Sequence, residues 1–325
     1  MSLSLNAIQP IHFDDSFAED VVAGLTSEPK KLLSKYHYDT LGSKLFDSIC
    51  ELPWYTITRG ECALLERIKS SVTDRLRDPV ILAELGPGNG DKISILAKAL
   101  DAECRQTAIH LIDVSEGALD SASRTLESYS SIEVRKHKAS YIDGLRNVID
   151  VVEPSESLTL LFLGSNIGNL DPREAERFLV EIRSLLRVGD KFLVGTDLIK
   201  PVEQLLLAYD DPLGVTSAFN RNLLARINRE LEGDFEVDQY DFQVKWNSTN
   251  SRIESYLVSR RDQTVCISAV NCCVRFVKGE AIWTESSHKY ESAEVAEMGR
   301  VAGFECQEQW VEPTSEFMIT CFGVR

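Results

Sequence analysis

Gly86, Gly88 and Gly90 alternate with other residues in ELGPGNGDK, residues 84–92, directly behind the apolar run VILAEL. Glycines there let the backbone turn tightly and approach a ligand at the carboxyl end of a buried strand. The spacing is G-x-G-x-G, so the third glycine of the dinucleotide fingerprint is out of place. Glu84 stands ahead of the loop, and a carboxylate suits a ligand that lacks phosphate and carries a positive sulfonium. The pattern therefore favours S-adenosylmethionine, with an ordinary glycine turn as the alternative. Asp113 ends the next apolar run, HLIDV, where a carboxylate can accept both hydroxyl hydrogens of a ribose. That geometry serves NAD and S-adenosylmethionine equally, and a lone Asp there is also a helix cap. Tyr141, Ile142 and Asp143 follow the third strand, where such folds contact adenine, with Asp143 a candidate partner for its exocyclic amine. LGSNIGNLDP places Gly164, Ser165, Asn166, Gly168 and Asn169 after the fourth strand. Amides that donate and accept suit an amino acid, whose amine and carboxylate need opposite partners. Asn169 is the expected contact, the other amide being free to cap a helix or hold a turn.

These groups need a scaffold that delivers strand ends to one crevice. VILAEL, HLIDV, IEVRKH, LTLLFLG and KFLVGTD read as strands, and VILAEL is apolar enough to be covered on both faces. DKISILAKAL, EGALDSASRTLESY and PREAERFLVEIRSLLR read as helices between them; Pro172 suits the first turn of the last, and Gly189 follows its end. Alternation at this spacing implies βαβ units and a parallel sheet over residues 79–200. Residues 1–78 read as mostly helical, with helical spacing in SKLFDSICEL and ECALLERIKSSV and an irregular connector, PWYTITR, between them. In residues 201–325, EQLLLAYDD and VTSAFNRNLLARINREL read as helices. DFQVKW, RIESYLVSR, CCVRFV, AIWTESSHKY, FECQEQW and FMITCFG then read as strands. This β-rich part suits a substrate lobe over the crevice, its last strands free to rejoin the core sheet.

The chain has 325 residues, enough for one large domain or two modest ones. Its net charge of −16 lacks the basic footprint that nucleic acid or an anionic membrane would require. Cys50, Cys62, Cys104, Cys266, Cys272, Cys273, Cys306 and Cys321 form no CxxC pair and are expected to be reduced, buried thiols. His12, His37, His110, His137 and His288 also lack ligand spacing, so no metal site is expected. MSLSLNAIQPIHFDD has no signal-peptide pattern and no run is long and apolar enough to span a membrane, which leaves a cytoplasmic location.

Longer runs add a resemblance. YDTLGSKLFDSICELPWY-x-x-TR, ELGPGNGDK, DVSEGAL, FLGSNIGNL, GTDLIK, AYDDPLGVTSAFNRNLLARINREL and TESSHKY occur in this order between about residues 36 and 290. Together they resemble the histidine-specific methyltransferase family, which trimethylates the α-amino group of L-histidine at the start of ergothioneine biosynthesis. The resemblance implies a Rossmann-like class I methyltransferase core. It implies S-adenosylmethionine held by Tyr38, Gly86, Gly88, Lys92, Asp113, Tyr141 and Ile142. It implies Tyr55, Asn169 and Tyr209 on the amine and carboxylate of the amino acid, and Glu285 and Ser287 on the imidazole ring. Tyr38, Tyr55 and Asn169 would orient the reacting nitrogen. One departure is Ser255 in RIESYL, where histidine-methylating members carry methionine as a wall of the ring pocket. A smaller, polar wall leaves room for another side chain, and relatives of the family act on tryptophan-type substrates. The readings from other classes are a nicotinamide-dependent oxidoreductase, which lacks its third glycine, and a non-catalytic binding module, which would show damage in these motifs.

Overall fold

The structure, a computed structural model, describes residues 15–324. The readings drawn from residues 1–14, His12 included, lie outside the described residues. Among the described residues, three α-helices precede the first strand: α1 (Asp15–Thr26), α2 (Thr40–Glu51) and α3 (Thr56–Thr73). Asp39 caps α2 by accepting the Gly42 N–H. The second half of PWYTITR is not irregular but the first turn of α3. Arg59 explains it, since its guanidinium donates to the carbonyls of Leu52 and Pro53 and fastens the connector onto the helix.

A strand–helix alternation follows: β1 (Val80–Leu85), α4 (Asp91–Ala102), β2 (Thr107–Asp113), α5 (Glu116–Leu126), β3 (Ile132–Lys138), α6 (Tyr141–Val151), β4 (Leu158–Phe162), α7 (Pro172–Leu185) and β5 (Lys191–Asp197). β1 and β4 are buried at every position, as their apolar sequences require. α7 opens with a capping box of Asp171 and Glu174 and with Pro172 in its first turn. α6 escapes sequence reading because its pattern is short and holds Gly144. That glycine is needed for close packing, as a Cβ there would lie 2.3 Å from Ile112 of β2.

The chain continues through α8 (Val202–Tyr209), α9 (Val215–Leu231), β6 (Tyr240–Asn247), β7 (Arg252–Ser259), β8 (Gln263–Ile267), β9 (Cys272–Phe276), β10 (Ala281–His288), α10 (Ser292–Val301), β11 (Glu305–Glu312) and β12 (Phe317–Gly323). The main sheet has the order β11-β12-β5-β4-β1-β2-β3, with β1 to β5 parallel and β12 antiparallel to both β5 and β11. This is the expected α/β, Rossmann-like core. Its order reverses between β1 and β4, so the loops after those strands diverge and open a crevice. β6, β7 and β10 form a separate three-stranded antiparallel sheet, and β8 pairs with β9 in a two-stranded ribbon. Phe17, Val21 and Leu25 of α1 pack into a third core with Leu224, Tyr240 and Phe276, under that smaller sheet.

The cysteines depart from the expectation of reduced, buried thiols. Cys266 and Cys273 stand directly opposite in the β8–β9 ribbon, with Cα atoms 4.1 Å apart, and are disulfide-bonded. Direct opposition across an antiparallel pair is what brings two β-carbons within bridging range. Of the others, Cys321 is buried, Cys104 is exposed and the rest are part-buried. Among the described residues no helix is long and apolar enough to cross a membrane, and no group of three or more His, Cys, Asp or Glu side chains could hold a metal ion.

Candidate active site

On one side of the crevice, the loop after β1 runs through Gly86, Gly88 and Gly90, all at positive φ. A Cβ at Gly86 would lie 2.9 Å from the Tyr141 hydroxyl, whereas Gly88 faces open space. Glu84, at the end of β1, is fully enclosed, and its Oε2 has no hydrogen-bond partner. Burial pushes its carboxyl up to about 8, Lys92 pulling it down and Glu61 adding to the rise. Asp113 ends β2 and accepts the Ser115 N–H at 2.8 Å with one oxygen; burial raises its pKa. Tyr141 opens α6 edge-on to Phe162, and Ile142 packs beside it. A buried carboxyl with one unpartnered oxygen at a glycine turn, a strand-end aspartate and an aromatic wall fit a cationic adenosyl ligand. Asp143 is not brought to this group: its carboxylate faces solvent, taking hydrogen bonds from Ser140 and Arg146 as part of the helix cap.

Lys92 forms an ion pair at 2.7 Å with Glu61 of α3, whose carboxylate is wholly buried. Both Glu61 oxygens also accept the Gly164 N–H, at 2.9 and 2.8 Å. One carboxylate thus ties the first helix residues after the β1 loop to the loop after β4. Burial alone would lower the Lys92 pKa, but Glu61 outweighs it and raises it.

On the other side lies a cavity with Tyr38, Tyr55, Asn166, Asn169, Tyr209, Glu285 and Ser287 on its polar wall and Phe46, Ile49 and Phe219 on its apolar wall. Five chain segments supply the polar groups. Tyr38 follows the short helical turn Ser34–His37, held edge-on by Phe46 and Phe219. Tyr55 caps the start of α3 and meets Tyr209, the last residue of α8, at 6.1 Å in a T-shaped pair. Asn169 ends the turn Asn166–Asn169 beyond β4. Glu285 and Ser287 come from β10, just past a shift in its register with β7 between Trp283 and Glu285. Burial pushes the Glu285 carboxyl up to about 7, with Lys289 pulling it back. Burial, then neighbouring charges including Glu285, hold the Tyr38 and Tyr55 phenols well above their ordinary range, so both stay protonated. Ser255 sits opposite Glu285 in the β7–β10 register, fully buried, but is not among the residues that line the cavity. Its Oγ has no hydrogen-bond partner.

A family model described as "Histidine-specific methyltransferase, SAM-dependent" matches residues 17–324. The chain belongs to this histidine-specific methyltransferase family. Its cofactor is S-adenosylmethionine, and its core is of the class I methyltransferase kind. The chain is 38% identical to a histidine N-alpha-methyltransferase of Mycolicibacterium smegmatis over 320 residues, covering 98% of each chain. It is 37% identical to the histidine N-alpha-methyltransferase of Mycobacterium tuberculosis, covering 92% of each. It is 25% identical to an L-tryptophan methyltransferase of Psilocybe serbica, covering 92% of this chain and 90% of that one.

In this histidine-specific methyltransferase family member, sequence reasoning missed four charged groups near the cavity. Lys289 Nζ donates to Tyr209 Oη and to Ser287 Oγ, both at 2.8 Å, and lies 3.0 Å from Asp197 Oδ2. Lys200 pairs with the other Asp197 oxygen at 2.6 Å. Glu61 is the fourth. GTDLIK and TESSHKY contain Asp197, Lys200 and Lys289, but nothing in those runs shows which charges would be buried together.

Proposed function

We infer that the chain transfers methyl groups from S-adenosylmethionine to the α-amino nitrogen of free L-histidine, up to three times, as in ergothioneine biosynthesis. The observation that carries this reading is the single cavity where Tyr38, Tyr55, Asn169, Tyr209, Glu285 and Ser287 meet beside the loop after β4. The cofactor supplies an electrophilic methyl group on a sulfonium. The chain has to supply alignment and a neutral amine. Gly86, Gly88, Lys92, Asp113, Tyr141 and Ile142 hold the cofactor, with Tyr38 between it and the substrate. Tyr38, Tyr55 and Asn169 orient the nitrogen lone pair, and Tyr209 takes the carboxylate. Desolvation disfavours the ammonium form and lowers the amine's pKa, so water can accept the proton. Glu285 and Ser287 grip the ring, and Ser255 backs Glu285. In this reading residues 1–78 complete the site, 79–200 bind the cofactor and 201–325 form the substrate lobe with strands returned to the core sheet; the enzyme works in the cytoplasm.

A second reading, methylation of a different amino acid, is favoured by Ser255, whose buried hydroxyl lies unpaired beside Glu285. Incubation with S-adenosylmethionine and each of the twenty amino acids, followed by product mass, separates the two. Histidine gaining mass in methyl steps is the expected result. Another amino acid gaining mass while histidine stays inert would reassign Glu285 and Ser287, and no gain from any would overturn both.

A further inference from the structure

Lys289 follows directly after β10 and is wholly enclosed, yet neither the cofactor nor the ring requires it. Its three short contacts are Tyr209 Oη, Ser287 Oγ and Asp197 Oδ2. Tyr209 Oη and Ser287 Oγ are themselves 2.7 Å apart, so one hydroxyl proton lies between them. Proton counting then restricts the cluster. An ammonium has three protons and no lone pair, so both hydroxyl oxygens accept from Lys289, which also forms an ion pair with Asp197 without a hydrogen bond to its Oδ2. Of the two hydroxyl protons, one joins the oxygens to each other. A single proton remains for a ligand. Burial alone would favour a neutral amine, but Tyr209 and Asp197 outweigh it and raise the Lys289 pKa, which keeps the ammonium charged. With Lys200 on the other side of Asp197, two cations share one carboxylate.

We propose that Lys289 is a positioning residue that makes Tyr209 the hydrogen donor to the amino acid's carboxylate and Ser287 an acceptor for a ring N–H. The proposal rests on the substrate orientation in the reading above. A carboxylate only accepts, so the one free proton must sit on Tyr209. Ser287 then donates to Tyr209, accepts from Lys289 and keeps one lone pair for the ring. The ring nitrogen that faces Ser287 is therefore protonated.

The test measures binding of L-histidine and L-histidinamide by calorimetry to wild type, Lys289→Met, Tyr209→Phe and the double variant, each saturated with S-adenosylhomocysteine. Wild type should prefer histidine at least ~10-fold, the scale of one hydrogen bond to a charged group. Either single variant should bring the preference within about threefold, and the double variant should be no worse than Tyr209→Phe, as for residues acting through one contact. Affinity for S-adenosylhomocysteine should be kept. A Lys289→Met protein that binds S-adenosylhomocysteine and retains the wild-type preference overturns the proposal, as do additive losses. Should Lys289→Met not fold, nitrogen NMR of ring-labelled histidine on wild type and Ser287→Ala decides. The ring nitrogen whose signal moves on that substitution must be an N–H, and a lone-pair nitrogen there overturns the proposal. Wild type that binds no histidine overturns the functional reading instead.

Discussion

Glu285 is a buried carboxyl whose pKa, pushed up to about 7, makes it change charge near neutral pH. Protonated, it can donate to a bare ring nitrogen; ionised, it can accept from a ring N–H. Removing a hydrogen bond to such a group costs about 1.5–3 kcal/mol. Glu285→Ala should therefore raise the KM for histidine on the order of 10–100-fold. Its affinity for S-adenosylhomocysteine, measured by calorimetry, should be unchanged; an equal loss there would remove Glu285 from the substrate pocket. Glu285→Gln keeps a donor and an acceptor but cannot titrate. Its KM–pH profile should lose the step near 7 that wild type is expected to show. The sequence displayed this residue inside TESSHKY, yet by itself it is one acidic residue in a strand. Its pKa depends on burial and on Lys289, which no spacing rule reveals.

Elements set the tolerance of the glycine loop after β1, the cofactor loop of the proposed function. Gly86 and Gly88 both have positive φ, so alanine at either pays a backbone penalty of roughly 1–2 kcal/mol. Only at Gly86 does the new methyl meet a neighbour, the Tyr141 hydroxyl at the start of α6. Gly86→Ala should weaken S-adenosylhomocysteine binding by at least ~10-fold, and Gly88→Ala by clearly less, with titration calorimetry as the measurement. Equal losses would mean that strain, not the approach of α6, sets affinity. The G-x-G-x-G pattern was legible because a turn's needs are local. The unequal weight of its glycines was not, because α6 approaches from beyond β3. Asp143 makes the same point in reverse. Its position after the third strand suggested an adenine contact, but the cap it forms with Ser140 and Arg146 turns it outward.

At the scale of the molecule, buried groups with shifted pKa values fix how stability responds to pH. Glu84 and Glu285 rise to about 8 and about 7, so the folded state holds their protons longer than the unfolded state. Their contribution is full below the unfolded pKa and is lost as pH rises through those values. His37 and His110 fall to about 4 through burial, so their contribution is full above the unfolded pKa and is lost as pH drops. The two effects oppose each other between about pH 4.5 and 6.5, the ordinary pKa values of these groups. Above that window the carboxyls act alone. Ligand-free protein should lose stability toward pH 8, by at most about 1.4 kcal/mol per pH unit for each group. Denaturant unfolding of Glu84→Gln should show a shallower slope there, and an unchanged slope would mean that Glu84 is ionised throughout.

Most strand and helix identities in the core, α6 excepted, the glycine loop after β1 and most groups around the cavity were legible in the sequence alone. Runs such as VILAEL and PREAERFLVEIRSLLR record in their own periodicity which faces are buried, and the motif runs keep their order along the chain. Tertiary structure decided which charges became interior. Glu61 reaches Gly164 across 103 positions, and Lys289 reaches Tyr209 across 80. In sequence each is an ordinary charged residue with nothing to mark it. The disulfide between Cys266 and Cys273 likewise follows from strand register, which places the two directly opposite. A buried charge or a bridged thiol is defined by what faces it across space, and that is settled only when distant elements pack.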